Sequence, residues 1–548
     1  MIAPKRIMAL LACFFMITAG HAVQQRRVPG TGIPESVFPT DRDNPALWTS
    51  AFSYSKTNRA ALPGYYAVSD IPRTGTQEYL LVLVDFTNKP FIITDSDELV
   101  EQYDRIFNEQ GYYDDSVYTY KDFSFHGATG SVNDYFRAQS YNQYNPVFKV
   151  VGPIHMSHDY AYYGKNNGQS DADGVNKMVF EVCDSLAART DVVFSGYARD
   201  GNIDQLSIIY AGKGENYDGA DKNTIWPQAN YISYNRNGVQ KVKFACTCEL
   251  FWDSDSILDG IGTFCHEFSH TLGLPDFYNV YSASESETNA SMGYWSIMDY
   301  GNYENQGFSP VGYTAFEKYS LGWMEIEEIT YPGTYLLNDI SCKPDPDEGI
   351  HSAYRLNTGN EDQFIILENH IKTGWYQFHA SQGLMVTAVN YYNNSWVSNT
   401  VNTNSRKRYY ILPADNNYNR NTNQGDLFPY QDIDSITTLG APQLSAGSSY
   451  PPYSIYGITQ DTGKVSFYAS MDMPTKVEAL ANNDISMKIT DGELLVQAPV
   501  GSRLSIHDVS GRTILETVIT EPHQSISLPG EGIIIVRCEN LVRKLRID

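Results

Sequence analysis

The chain has too little positive charge to bind polyanions. It carries 39 lysine and arginine residues against 64 aspartate and glutamate residues, which gives a formal net charge of −25. A protein that binds nucleic-acid phosphates or anionic lipid presents a basic face, and this composition does not provide one. We therefore expect no nucleic-acid partner.

Long apolar runs are missing after the first 22 residues. Residues 1–22 combine a basic start, an apolar run from Ile7 to Ile17 and small residues ending at Ala22, which is the layout of a cleaved secretory signal. The alternative is a membrane anchor, but that needs about 20 apolar residues. We predict a signal peptide, export from the cell and no transmembrane segment in the mature chain.

Cysteine is scarce, and repeats and low-complexity tracts are absent. Loss of Cys13 with the signal leaves six of the 7 cysteines, an even number that fits disulfides outside the cytosol without fixing their pairing. Cys246 and Cys248 have no partner pair with matching spacing, so a cysteine metal site is the weaker hypothesis. The length of 548 residues predicts two to four compact domains.

Strand and helix patterns divide the rest of the chain. Tyr79–Asp85 and Leu206–Tyr210 are typical of buried strands and Val132–Phe136 has helical spacing, which together predict an α/β layer. After Trp323 the pattern changes to strand-length pieces between Asn, Gly and Pro clusters. The predicted division is a signal peptide at 1–22, a pro-segment at 23–74, an α/β domain at 75–325, a β-rich accessory domain at 326–472 and a small β-sandwich at 473–548.

The segment from Ser256 to Asp276 carries the strongest chemical pattern. Ser256 is expected to cap the start of a helix. The apolar residues at helical spacing are Ile257, Ile261, Phe264, Phe268 and Leu272. At about 100° per residue, His266 and His270 lie opposite this stripe, about 40° apart and one turn along the axis. Both imidazoles can therefore bind one ion.

The residues after the second histidine complete a hydrolytic metal site. Gly273 permits the left-handed turn that ends a helix, which brings Asp276 towards the ion as a third ligand. Zinc in hydrolytic sites takes three protein ligands and keeps a fourth position for water. Glu267, next to the first histidine, is placed to accept the proton of that water. The alternative is a chance match on a buried helix whose histidines satisfy core hydrogen bonds.

A second motif lies downstream, at Tyr294–Gly301. Its Ser-Ile-Met298-Asp-Tyr300 core resembles the Met-turn of metzincin peptidases, in which a methionine forms an apolar floor under the ligands. This resemblance implies that Met298 is the floor and that Tyr300 donates a hydrogen bond to the developing oxyanion. The alternative for each is ordinary core packing.

The two motifs together resemble the immune inhibitor A type of secreted metallopeptidase. His266, Glu267, His270, Gly273 and Asp276 match its His-Glu-x-x-His-x-x-Gly-x-x-Asp pattern position by position. Further similar blocks are Gly130–Phe136, Ile208–Gly214, Ile225–Pro227, Tyr319–Trp323, Leu367–Asn369 and Gly425–Pro429. The resemblance implies a zincin-like α/β (α+β) catalytic domain with a mixed sheet and an active-site helix, followed by a β-rich domain and a small C-terminal β-sandwich.

The sequence departs from the family at a loop that often binds calcium there. Ala198 and Arg199 stand in place of acids ahead of Asp200, Asn202 and Asp204. Calcium loses affinity when carboxylates are removed. A calcium site at Asp200, Asn202 and Asp204 and an ordinary turn before a strand both stay open.

The C-terminal segment resembles the sorting domain of type IX secretion in certain Gram-negative bacteria. The resemblance rests on Leu504–Arg512, Gly532–Val536 and Lys544–Ile547. It implies a partner in the secretion machinery and a mature protein that is secreted or attached to the outer cell surface. The alternative is an accessory β-sandwich with no role in export.

The function predicted from these motifs is that of a zinc endopeptidase. It would hydrolyse internal peptide bonds of protein or peptide substrates, with zinc held by His266, His270 and Asp276 and with Glu267 as general base. One alternative is a zinc amidase that acts on cell-wall amide bonds. Another is a surface adhesin with a vestigial peptidase domain.

Overall fold

A computed structural model describes most of the chain after residue 68. The described residues are 69, 71–164, 171–217, 220–221, 223–280, 291–357, 362–403, 407–418, 423–436, 454–470, 485–490, 493–498, 500–521, 523–528, 530, 532–538 and 541–547. The predicted signal peptide at 1–22 and most of the predicted pro-segment at 23–74 lie outside them. The chain divides into two compact units, residues 1–471 and residues 472–548. The predicted domain boundaries stay predictions.

The first part of the larger unit is built on a mixed sheet. Its strands are β1 (Gly75–Asp85), β2 (Val117–Tyr120), β3 (Phe123–His126), β4 (Tyr144–His155), β5 (Asn202–Lys213), β6 (Gln228–Arg236) and β7 (Val239–Leu250). The main sheet has the order β4-β1-β5-β7-β6, while β2 and β3 form a separate hairpin. β1, β4, β5 and β7 are parallel, and β6 runs antiparallel to β7. The predicted α/β layer is therefore confirmed.

Helices cover this sheet. They are α1 (Ser96–Asn108), α2 (Val132–Gln139), α3 (Tyr160–Tyr163), α4 (Asp171–Ala188), α5 (Gly262–Leu272) and α6 (Ala315–Ser320), with 3-10 turns at Phe194–Tyr197, Gly293–Trp295 and Tyr300–Gly307. Asp95 caps α1 and Ser131 caps α2, each through a side-chain oxygen that accepts backbone N–H bonds.

Alternation along β1 explains how the sheet is covered on both faces. Leu81 and Leu83 belong to the core that contains α5, whereas Leu80 and Val82 belong to the core that contains α4. Successive side chains of a strand point to opposite faces, so a strand that is covered on both sides is apolar throughout. This arrangement places α5 on one face of the sheet, where it packs mainly on β7 and β6.

The metal-site helix begins later than the sequence pattern predicts. α5 starts at Gly262, so the expected helix cap at Ser256 is wrong. The Ser254 hydroxyl accepts hydrogen bonds from the backbone N–H groups of Ser256 and Ile257 and holds them in a turn. At Gly262 itself, a Cβ would collide with the carbonyl oxygen of Asn302. The close approach of that neighbouring segment therefore requires glycine at the helix start.

The predicted end of the helix is confirmed at Gly273, which has φ 104° and ψ 14°. Its N–H donates to the carbonyls of Ser269 and His270, as in a left-handed helix cap. Gly273→Ala is expected to lower the free energy of unfolding by about 1–2 kcal/mol, since a Cβ is strained in this conformation. Chemical unfolding of both proteins followed by circular dichroism measures the difference. Gly333→Ala, at a strand glycine without positive φ, is the control; an equal loss there would contradict the argument.

The rest of the larger unit is β-rich, as predicted. Its elements are β8 (Glu327–Glu328), β9 (Gly333–Leu337), β10 (Ala353–Asn357), β11 (Gln363–His370), β12 (Gly383–Asn390), α7 (Asn393–Val397), β13 (Tyr409–Ile411), β14 (Ser454–Asp461) and β15 (Lys464–Ser470), with 3-10 turns at Pro346–Glu348, Gly374–Tyr376 and Asn423–Gly425. One sheet has the order β13-β12-β11-β10-β8 and a second has the order β14-β15-β9.

The β-rich part shares a core with the metal-site helix. Along β11, Ile365 and Leu367 pack against the second sheet, while Phe364 and Ile366 belong to the core that contains α5. Every residue of β11 is buried because both of its faces are covered. The two parts of this unit are thus joined by continuous apolar packing across residue 325.

The smaller unit consists of two antiparallel sheets. Its strands are β16 (Ser486–Thr490), β17 (Glu493–Gln497), β18 (Arg503–Asp508), β19 (Thr513–Val518), β20 (His523–Ser527), β21 (Gly532–Cys538) and β22 (Leu541–Ile547). The sheets have the orders β16-β17-β20 and β19-β18-β21-β22, and one apolar cluster contains residues of both, such as Val496 and Ile506. Two sheets over one core are what a small sandwich requires.

Two further sequence expectations concern cysteines and membranes. Cys183, Cys246, Cys248, Cys265 and Cys342 are all free thiols, so the expected disulfides do not form among them. Four of these five side chains are buried, which suits a cysteine that packs as a small apolar residue. Over the described ranges, no helix combines the length and apolarity that a membrane crossing needs.

Candidate metal centre

Helix α5 holds two buried imidazoles with a defined tautomer. The ring centroids of His266 and His270 are 4.8 Å apart, one turn along the helix. The Nδ1 of His266 donates to the carbonyl of Ile297 at 2.7 Å, and that of His270 donates to the carbonyl of Leu274 at 2.8 Å. These bonds leave both Nε2 atoms with free lone pairs that face a common point.

Asp276 is brought to the same point by the turn at Gly273. Its Oδ1 lies 3.2 Å from the Nε2 of His266 and 3.2 Å from the Nε2 of His270. Two ligand atoms at zinc-bond lengths in tetrahedral geometry are about 3.3 Å apart. The structure therefore brings the three predicted ligands together at the spacing of a zinc site.

The ligand atoms have no other partners. The Nε2 atoms of His266 and His270 and the Oδ1 of Asp276 are buried without a hydrogen-bond partner among the described residues. A buried polar atom without a partner is costly, so such a cluster calls for an ion or water. Two imidazole nitrogens and one carboxylate oxygen form a donor set that zinc accepts, with a fourth position left over. The residues present fit zinc.

Electrostatic interactions among His266, His270 and Asp276 favour the ionised form of the aspartate. Burial opposes ionisation of Asp276, but the two histidines outweigh it and hold its pKa well below the usual range. Burial alone would lower the pKa of His270, but the neighbouring carboxylate reverses the effect and raises it. A proton and a metal cation therefore compete for the same imidazole, and ion binding releases that proton.

Glu267 lies beside His266 and His270 and can exchange protons. A ligating atom of His266, one of His270 and a carboxylate oxygen of Glu267 lie within 4.8 Å of one another. Both carboxylate oxygens are buried without a hydrogen-bond partner among the described residues. Burial raises the pKa of Glu267 to about 8; His266 opposes this shift and Asp276 adds to it. A carboxylate with a raised pKa is a better proton acceptor at neutral pH.

The turn at Met298 forms hydrogen bonds to residues at and next to the predicted ligands. Met298 is fully buried, and its carbonyl accepts the N–H of Phe277, the residue after the third ligand. The preceding residue, Ile297, accepts the Nδ1–H of His266. The turn is itself held by the Ser296 hydroxyl, which accepts the Met298 N–H and donates to Glu317. The segment thus holds His266 and the residue after Asp276 through backbone carbonyls.

The predicted oxyanion donor, Tyr300, belongs to a cluster of buried tyrosines. It packs with Tyr278, Tyr294 and Tyr303, and its ring centroid is 6.4 Å from that of Tyr278. Burial raises the pKa of Tyr278 well above its usual value, and the charges of Asp276 and Glu267 add to this effect. Tyr278 is thus a second buried phenol of this cluster. Sequence reasoning missed it, although it stands two residues after the third ligand.

The predicted calcium loop is a turn before a strand. Asp200 has φ 52°, and Arg199 and Asn202 pair across it as a tight hairpin. The carboxylate of Asp204 forms an ion pair with the Arg199 guanidinium. The Asn202 side chain donates to the backbone carbonyl of Asp200. A bound cation would have to displace Arg199, so this loop gives no support to calcium at Asp200, Asn202 and Asp204.

Two residues of the β-rich part form hydrogen bonds with the region of the metal centre. The sequence patterns did not predict these hydrogen bonds. The side chain of Asn399 hydrogen-bonds to Asp276, and the carboxylate of Asp426 accepts the indole N–H of Trp295 at 2.6 Å. Burial raises the pKa of Asp426 to about 7. Asp426 lies in the Gly425–Pro429 block that resembles the family, which was the one available signal.

The mixed sheet, the helix with two histidines and the aspartate beyond its end define a metallopeptidase type of domain. Residues 67–325 match the catalytic domain of immune inhibitor A peptidase M6. Two relatives, both pre-pro-metalloprotease PrtV from strains of Vibrio cholerae serotype O1, are 26% identical to it over 319 residues. That alignment covers 50% of this chain but 33% of the relatives, so the chain spans about a third of their length.

Proposed function

We propose that the chain is a secreted zinc-dependent endopeptidase. The observation that carries this proposal is the convergence of two histidine Nε2 atoms and Asp276 Oδ1, all buried and unpartnered among the described residues, beside the carboxylate of Glu267. His266, His270 and Asp276 would hold the metal. The match of residues 67–325 to a metallopeptidase catalytic domain supports the same assignment.

The chain's own residues supply the proton transfers of hydrolysis. Bound zinc would supply Lewis acidity, which lowers the pKa of a coordinated water from about 16 towards about 7 and polarises a carbonyl oxygen. Glu267 accepts the proton of the attacking water and then delivers it to the nitrogen of the leaving amine. Tyr300 and Tyr278 are buried phenols of one tyrosine cluster that can donate to the oxyanion.

An extended peptide is the substrate that the sheet geometry favours. β6 is an edge strand, paired with β7 on one side and with no described strand on the other. Helix α5 packs against both β6 and β7, so this edge runs beside the metal centre. An exposed strand edge binds extended peptides through backbone hydrogen bonds. Internal segments of protein substrates fit such a groove.

Export and surface attachment rest on sequence resemblance alone. The predicted signal at 1–22 directs secretion, and the C-terminal unit is proposed to serve the secretion machinery as a sorting domain. Localisation outside the cell would give a peptidase access to protein substrates in the surroundings.

A digest with and without a metal chelator tests the function. The purified chain is expected to cleave denatured casein or gelatin at internal bonds. A zinc chelator should abolish this cleavage, and added zinc should restore it, because removal of the ion leaves Glu267 without an acidified water. Gel electrophoresis and mass spectrometry of the fragments measure the cleavage.

Parallel incubation with peptidoglycan separates the proposal from its nearest competitor. Release of peptidoglycan fragments with intact casein would identify a cell-wall amidase and overturn the peptidase assignment. Cleavage that persists unchanged in a metal-free protein would overturn the role of zinc.

A further inference from the structure

Asn399 lies 123 positions after Asp276 in the chain and forms two hydrogen bonds with this third predicted ligand. The Oδ1 of Asn399 accepts the backbone N–H of Asp276 at 2.6 Å. The Nδ2 of the same side chain donates to the Oδ2 of Asp276 at 2.7 Å. One amide thus holds both the backbone and the carboxylate of the ligand, and it leaves Oδ1 of Asp276 to face the histidines.

This double contact fixes the direction of the carboxylate. A carboxylate that is bonded only through a metal can rotate about its Cβ–Cγ bond and exchange its two oxygens. The hydrogen bond to Oδ2 opposes that rotation, and the bond to the backbone N–H fixes the main chain behind it. Outer partners of this kind orient ligands and tune metal affinity.

The position of Asn399 is set by its own backbone. α7 ends at Val397, and Asn399 adopts a left-handed conformation with φ 55°, in which asparagine and glycine are favoured. The N–H of Thr400 then donates to the carbonyl of Ser395, which closes the helix end. Asn399 is buried, with 4% of its surface exposed. A helix cap by itself needs this backbone conformation but not the amide group.

A second asparagine supports the same loop. The Nδ2 of Asn402 donates to the carbonyl of Phe277 at 2.7 Å and to that of Tyr409 at 2.6 Å. Its Oδ1 accepts the N–H of Tyr409 at 3.0 Å. The rings of Phe277 and Tyr409 pack edge to face, 4.7 Å apart. The loop from 399 to 402 is therefore anchored to the residues that immediately follow the third ligand.

We propose that Asn399 is a positioning residue that orients Asp276 for metal binding, so that the β-rich part completes the metal centre. The inference rests on the proposed function, since it presupposes a metal at His266, His270 and Asp276. Its consequence is that the segment matching the family, 67–325, does not contain every residue that the metal site needs.

Asn399→Gly, made in the full chain, tests the role of the amide group separately from the role of residue 399 in ending the helix. Glycine keeps the left-handed backbone and removes both contacts to Asp276. We expect zinc affinity, measured by competition with a chromophoric chelator, to fall by about 10- to 100-fold. The visible absorption spectrum of the Co²⁺-substituted protein should also change in shape, because a reoriented carboxylate alters the coordination geometry.

A second variant and a control address folding. Asn399→Asp keeps an acceptor for the Asp276 N–H. It also places two carboxylate oxygens at a contact of 2.7 Å, where they repel each other. The Co²⁺ spectrum should therefore change while the fold is kept. Ser398→Ala removes a half-buried neighbouring hydroxyl that bonds within its own helix and to Thr400. This control should retain the zinc affinity and spectrum of the parent.

The outcomes distinguish this inference from the proposed function. Parent-like zinc affinity and Co²⁺ spectra in both Asn399 variants, alongside loss of zinc in His270→Ala, would overturn the positioning role and leave the peptidase proposal intact. A parent protein that binds no zinc would overturn both. An equal loss of affinity in Ser398→Ala would show that any disturbance of the loop suffices and would also overturn the role of the amide.

Discussion

Replacing Glu267 by glutamine is expected to lower the rate of casein hydrolysis by about 100- to 10,000-fold, the usual contribution of a general base. Glutamine matches the shape of the side chain but cannot accept a proton from water. Folding should not suffer, because burial raises the pKa of Glu267 to about 8 and an ionised carboxylate there is already disfavoured. Steady-state kinetics and zinc content per chain are the two measurements.

The controls for this variant separate catalysis from folding. Glu249→Gln changes another buried carboxylate, one that accepts the N–H groups of Ile92 and Gly212. It is expected to keep the hydrolysis rate of the parent within a few-fold. Parent-like turnover in Glu267→Gln, or loss of zinc together with activity, would contradict the assignment of Glu267 as a base that does not ligate the metal.

Local patterns in the sequence predicted the elements that position the site. The helix over His266 and His270, its end at Gly273 and the buried strand ending at Asp85 follow from periodicity and from the conformational freedom of glycine, which are properties of neighbouring residues. The structure also places Asp276 within 3.2 Å of both imidazoles, as the motif indicates.

The start of the same helix was mispredicted for a non-local reason. Ser256 is a good helix cap in isolation, but Gly262 must lie against the carbonyl of Asn302. That packing constraint is invisible in a window of adjacent residues. The hydroxyl of Ser254 captures the N–H groups that a helix would otherwise use.

Support from the β-rich part was missed for the same reason. The bond between Trp295 and Asp426 joins residues 131 positions apart, and that between Asp276 and Asn399 joins residues 123 positions apart. A strand pattern after Trp323 predicts the sheets but does not reveal which loop faces the metal. The sequence pattern therefore predicted which side chains converge, whereas the contacts that hold them required the fold.

Replacing His270 by alanine is expected to weaken zinc binding by more than about 100-fold, since loss of an outer partner alone costs about 10- to 100-fold. The variant leaves His266 and Asp276 as ligands, and a cavity where the imidazole was. Hydrolysis should fall with zinc occupancy. Competition with a chromophoric chelator measures the affinity, and metal analysis after dialysis measures the content.

Two comparisons make the result specific to this imidazole. His158→Ala removes an exposed histidine that stacks on Tyr162 and should keep full zinc content. Glu267→Gln should also keep zinc while losing activity, so the two active-site variants fail in different ways. Full zinc occupancy in His270→Ala would mean that the ion lies elsewhere, and the convergence of the buried Nε2 atoms with Asp276 would then have to be explained by a shared proton instead.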